Sequence, residues 1–235
     1  MRRMESIDLI HGQLLMENQD WQGFRQLIQN RLDEKNPEAD WIDRGLTVYL
    51  AAQLAIFGLD SSFLQDKRIQ MCVDELVQHS MTPSRAICYE EAVSHHTSTL
   101  GLAYGALRNT NLFLKRDDIY KQLREIRAFV FQHLINGVSL ASDTRKGQLR
   151  FDTLLACVPF GLFEPEDLVL VEAVNALYEK VMGPTVTDQE RLLLAWYYVE
   201  QGSYQRSRDL LFACSKESTL YELVAKKLEK LGQLE

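Results

Sequence analysis

The stretch 119–134, IYKQLREIRAFVFQHL, decides the fold class. Ile119, Leu123, Ile126, Val130 and Leu134 recur at steps of three or four, which places them on one stripe of a helix. The same spacing returns at Leu168, Val171, Val174, Leu177/Tyr178 and Val181, and again at Leu210, Leu211 and Cys214. Sustained apolar/polar alternation is missing, and no Asn-Gly or Asp-Gly joins two β-branched runs. The chain is predicted to be all-α.

Turn chemistry divides it. Breaks are expected near Asn36–Pro37, Gly58–Ser61, Met81–Ser84, Asn109–Asn111, Gly137–Gly147, Gly161–Pro165, Gly183–Pro184, Gly202–Ser203 and Lys216–Ser218. FEPEDL supplies a helix start, with a proline and then acids for the first turn. Thr187 with Glu190 three residues on has the form of a capping box. About ten or eleven short helices result. Short loops force consecutive helices into antiparallel hairpins, which either close into an (α/α) toroid or curve into an open, tetratricopeptide-like superhelix.

The 235 residues, 46% hydrophobic and 25% charged, suit a single globular unit spanning 1–235. A formal charge of −7 argues against nucleic acid as a partner, since phosphate binding needs a basic surface. No apolar run reaches the ~18 residues that span a bilayer, and Glu5 and Asp8 interrupt the leader-like start. A cytoplasmic protein without a membrane role is expected. Cys72, Cys88, Cys157 and Cys214 are dispersed and read as small buried hydrophobes. No cofactor or metal is implied: Glu91 and His95 lie four apart, but no further ligand pair accompanies them. Serine-hydrolase, phosphate-loop and dinucleotide motifs are also missing.

Four stretches carry a family likeness. CYEEAVSHHTSTLGLAYGAL (88–107) resembles a segment in which an aromatic precedes two glutamates and a helix. RFDTLLACVPFGLFEPED (150–167) resembles an Asp before an apolar helix, then Pro-Phe-Gly-Leu and a proline-acid start. LLLAWYYVEQGSYQRSRDLL (192–211) is similar to a Trp helix, glycine turn and return helix, and LGQLE (231–235) to a terminal Gly-x-Leu-x-Glu. The family is the glucoamylase-type glycoside hydrolases, family fifteen, whose catalytic domain is a six-hairpin (α/α) toroid. The likeness runs from about Ile87 to the end.

The resemblance implies a carbohydrate-active protein that hydrolyses a glucoside or oligosaccharide with inversion. Glu90, following the aromatic Tyr89, would be the general acid, and Glu91 the neighbouring carboxylate that helps hold the sugar. Tyr89 stands where the family has Trp. GQLE is one residue shorter than the segment that holds the family's base, which leaves the role of Glu235 and the identity of the base open. Asp152 and Trp196 are candidate sugar-binding residues. For Asp152 an N-cap role is the alternative, with Arg150 as its partner; for Trp196, Tyr197 and Tyr198 it is core packing. One of His95 and His96 is expected to face the core or a cleft and the other water. The competing function is a non-catalytic helical scaffold for a protein partner or a glycan.

Overall fold

The computed structural model describes residues 4–34, 40–88, 93–145, 149–181 and 183–234. Among them are ten α-helices: α1 Met4–Glu17, α2 Trp21–Asp33, α3 Trp41–Ile56, α4 Lys67–His79, α5 Thr97–Leu114, α6 Asp117–His133, α7 Leu168–Val181, α8 Asp188–Glu200, α9 Tyr204–Phe212 and α10 Thr219–Lys230. Two 3-10 turns, Ser62–Gln65 and Phe151–Ala156, and a hairpin of two-residue strands, β1 Ile135–Asn136 and β2 Ser139–Leu140, complete the order. The fold is all-α.

Caps mark several starts. Thr187 Oγ1 accepts from the Glu190 N–H while the Glu190 carboxylate accepts from Thr187 N–H, the capping box expected from sequence. Asp20, Asp40, Asp66 and Ser218 accept from backbone N–H groups at the starts of α2, α3, α4 and α10.

Burial sorts the helices into two rows. In α3, 12 of 16 residues are buried, in α5 13 of 18, and in Phe151–Ala156 all six, so these elements are covered on every side. By contrast α4 buries only Ile69, Val73 and Leu76, and α6 only Ile119, Gln122, Ile126 and Val130, the single stripe of a helix with one wet face. The inner row is a circuit: α1 packs on α3, α3 on α5, α5 on Phe151–Ala156, that turn on α8, α8 on α10, and α10 on α1. Outside it, α2 lies over α1 and α3, α4 over α3 and α5, α7 over Phe151–Ala156 and α8, and α9 over α8 and α10.

Ion pairs show which ends coincide. Lys227, late in α10, meets Glu17 at the end of α1 at 2.6 Å and Glu200 at the end of α8 at 2.7 Å; Lys230 meets Glu17 at 2.9 Å. These three inner helices therefore run parallel, and their C-termini share one mouth. His96 and Ser98, where α5 begins, meet Arg150 and Asp152, where the 3-10 turn begins, at the other.

Burial pushes the Glu17 carboxyl up, but hydrogen bonds and attraction from Lys227 and Lys230 outweigh it and hold the group below the usual carboxylate range. A depressed carboxylate stabilises the fold above its unfolded pKa of ~4.3 and loses that contribution as pH falls through the lower folded value. Glu17→Gln is therefore expected to be less stable than wild type at neutral pH. Thermal unfolding should show the gap closing in acid below that folded value.

Glycine sets the closest inner contact. A Cβ on Gly101 would stand 2.6 Å from Ala156 Cα, and one on Gly105 2.7 Å from the Phe160 carbonyl oxygen. Backbone cannot yield as a flexible side chain can. Gly101→Ala, which gains ~1 kcal/mol of helix propensity, is expected to lose ~1–3 kcal/mol overall, read from the urea midpoint.

Three expectations need correction. The break near Asn109–Asn111 does not occur: Asn109 and Thr110 are buried inside α5, where packing overrides their turn preference. In α7 the buried set is Leu170, Ala173, Val174, Leu177 and Val181, with Leu168 60% exposed. LVLVEAV is apolar on both faces, so its spacing does not select one. The FEPEDL start also falls later, at Leu168.

Candidate functional site

Two segments far apart in sequence are stitched together where α5 begins. The Thr97 N–H donates to the Ser142 carbonyl at 2.9 Å, the Thr97 hydroxyl to the Ala141 carbonyl at 2.6 Å, and the Thr144 N–H to the His95 carbonyl at 3.1 Å. His96 and Asp143 form an isolated antiparallel bridge. Ser142 Oγ lies 2.7 Å from Thr153 Oγ1 and accepts from the Arg150 N–H at 2.8 Å. Short hydroxyl side chains thus supply the partners that an irregular buried backbone needs.

Inside this frame sits a charge cluster with Arg150 as its hub. Its Nη1 donates to Asp143 Oδ2 at 3.2 Å, Nε reaches Asp152 Oδ1 at 3.5 Å, and Nη2 lies 2.9 Å from His96 Nδ1. Ser98 Oγ donates to Asp152 Oδ2 at 2.9 Å, and Arg145 Nη2 to Asp143 Oδ2 at 3.0 Å. Asp143 and Asp152 are each 1% exposed and His96 is 0% exposed. Carboxylates so buried persist as charges only when paired and hydrogen-bonded. For Asp143, burial pushes the pKa up, while hydrogen bonds from the Arg145 side chain and backbone and from Arg150 bring it below the ordinary value. Nearby, where α3 begins, Arg85 pairs with Asp40 at 3.4 Å and Asp43 at 3.5 Å, and Arg31 with Asp8 and Asp43.

Tyr89, Glu90, Glu91 and Glu235 lie outside the described residues. The residues flanking the first three are placed: Cys88 is part-buried and Val93 is 68% exposed, and Ser94, one residue on, pairs with Ser84. Asp152 is not an N-cap; Arg150 holds that position and Asp152 falls in the first turn with its carboxylate turned to Arg150 and Ser98. Trp196 is 1% exposed, packed in the core with its indole N–H donating to Glu200 at 3.1 Å, so no ring face is open as a platform. Tyr197 and Tyr198 are equally buried, because α8 is an inner helix with neighbours all round.

Of the two histidines, His96 is fully buried; His95 is half-buried, its Nε2 3.0 Å from the Met81 carbonyl. Both precede α5, so the helical spacing assumed between Glu91 and His95 does not apply on the histidine side. Among the described residues no group of three or more His, Cys, Asp or Glu side chains is arranged to hold a metal, and no helix is long and apolar enough to cross a membrane. Sequence reading missed Ser98, Ser142 and Asp143. The only trace of the last is a polar SDTR run directly after the apolar VSLA.

No protein-family model matches the chain, and no curated protein matches it. Among solved structures, a wild-type glycosidase superposes with TM-score 0.69 at 16% identity, over 85% of this chain and 70% of the other. This is a glycosidase-like fold. A glycosidase with a glutamate-to-alanine substitution matches at the same score over 83% of this chain and 68% of its own. Another glutamate-to-alanine glycosidase, in complex with glucose, matches over 85% and 70%. At 16% identity the likeness speaks for the fold alone.

Proposed function

We propose that this protein is a carbohydrate-active protein of glycosidase type, a single (α/α) toroid of hairpins that hydrolyses a glucoside or oligosaccharide with inversion. In this reading Glu90 protonates the leaving oxygen, Glu91 helps hold the sugar, and Tyr89 offers it a ring face. Asp152 acts from behind, fixing Arg150 and Ser98. The base is a second carboxylate ~6.5–9.5 Å from the acid.

One observation carries the reading. Stretches 88–107 and 150–167, each singled out from sequence, meet through Ser98–Asp152 and His96–Arg150 across 54 positions. That junction begins three residues after Val93, and thus shortly after the Glu90–Glu91 pair in the chain. The closed inner circuit supports the toroid, and the glycosidase-like fold supports the sugar chemistry.

The test is a binding and hydrolysis screen of the purified protein against neutral gluco-oligosaccharides, with the anomer of the product followed by proton NMR. Turnover with inversion is expected. Binding without turnover would leave a non-catalytic glycan module, and neither binding nor turnover would end the sugar reading in favour of a scaffold for a protein partner.

A further inference from the structure

We propose that this chain pairs with a second copy of itself through the outer face formed by α6, the β1–β2 hairpin and α7, where Arg124 and Arg127 of each copy meet Glu172 and Glu179 of the other. Position comes first. β1 packs on α6, β2 packs on α7, and the two strands pair with each other, so the hairpin joins the helices into one surface. Both helices belong to the outer row, and the surface faces away from the ring.

Spacing fixes what each helix presents. On α6, Tyr120, Arg124, Arg127 and Phe131 follow at steps of four, three and four, and all four are exposed. On α7 the same steps give Leu168, Glu172, Asn175 and Glu179, again all exposed. Tyr120 is 60% exposed, Phe131 54%, Leu168 60%, and Val138 at the hairpin turn 47%. A single apolar side chain at a surface is ordinary, whereas several on one face mark an interaction site.

The charges name the occupant. Every other arginine among the described residues has a carboxylate, carbonyl or ring partner. Arg124 and Arg127 have none among those residues, and neither Glu172 nor Glu179 meets a cation there. Water can solvate each charge singly. It does not account for opposite signs at matching steps on two neighbouring outer helices, which is the complementarity a self-paired surface needs.

Chain direction allows the pairing. α5 and α8 begin at the same mouth, and α6 and α7 each fold back on one of them, so α6 and α7 run the same way. A two-fold axis along the helices then lays α6 of one copy on α7 of the other, parallel, and does so twice. Tyr120 meets Leu168, Arg124 meets Glu172, and Arg127 lies one turn from Glu179. Pairing of this kind is independent of the sugar chemistry and would stand if the screen found no turnover.

The test is sedimentation equilibrium of the whole chain at micromolar to millimolar concentration. A species with the mass of two chains is expected, and it should weaken as salt screens the pairs. Two charge reversals decide the face: Arg124→Glu with Arg127→Glu, and Glu172→Arg with Glu179→Arg. Each sets like charge against like and is expected to raise the dimer Kd at least about 100-fold. All four positions are exposed on outer helices, so both variants should unfold near the wild-type temperature. Mixed in equal amounts, the two variants should associate with near wild-type affinity, because both contacts again join arginine to glutamate. A mixture that stays monomeric would overturn the proposal, as would a dimer that neither reversal weakens. A wild-type chain that is monomeric at every concentration would overturn it too, and would leave this face to a different protein.

Discussion

Glu90→Gln should lower the turnover number for a glucoside with a poor leaving group about 10²–10⁴-fold, the usual contribution of a positioned general acid, with KM near wild type. The amide keeps the size and polarity of the acid and has no proton to give, so a binding role alone would not produce this pattern. Leaving-group chemistry sharpens the test. An aryl glucoside whose departing phenolate is stable needs no protonation, so the loss should shrink with that substrate and the alkaline limb of the pH profile should disappear. Equal turnover by the two proteins on the poor leaving group would remove Glu90 from the mechanism.

Arg150→Met should cost the largest share of stability among single changes at the cluster, about 3–5 kcal/mol, as expected when one member of a buried ionic network is removed. For a chain of this size that corresponds to roughly 6–20 °C in Tm. Asp143 would keep Arg145, and Asp152 would keep Ser98, but both carboxylates would lose the guanidinium between them. The pH dependence has a definite sign. In the wild type the Asp143 pKa is depressed, so its stabilisation is present above the unfolded value and lost as pH falls through the folded one. The variant keeps the share that comes from Arg145 and loses the smaller one from Arg150, so the two unfolding curves should draw closer in acid. Arg150→Lys should fall well short of wild type, since a point charge cannot serve two carboxylates and a ring nitrogen at once. A difference within about 0.5 kcal/mol, the range of ordinary surface changes, would mean that the cluster contributes nothing to folding.

The helical class was legible because it is local. Ile119, Ile126 and Val130 reveal a buried stripe within four turns, and Thr187 and Glu190 a helix start within four residues. Whether the hairpins close was not legible, because closure depends on α1 meeting α10, with Glu17 and Lys230 213 positions apart. The site divides in the same way. Asp152 in an apolar run demanded a partner, and Arg150 two residues earlier supplies it. Asp143 fell within the Gly137–Gly147 break without standing out, and nothing in HH distinguishes His96 from His95, because what buries them arrives from elsewhere in the chain. For Trp196 to Tyr198 a sugar platform and core packing both stayed open, because one helix in isolation does not reveal that it will be surrounded.

The pairing of α1 with α10 also imposes an order on synthesis. α1 receives this neighbour only when α10 has followed it out of the ribosome. At ~5–20 residues per second, the span between Glu17 and Lys230 takes roughly 10–40 s to translate. Throughout that interval the face of α1 that α10 will cover stays open, and this is where a ribosome-associated chaperone would find a long-lived foothold.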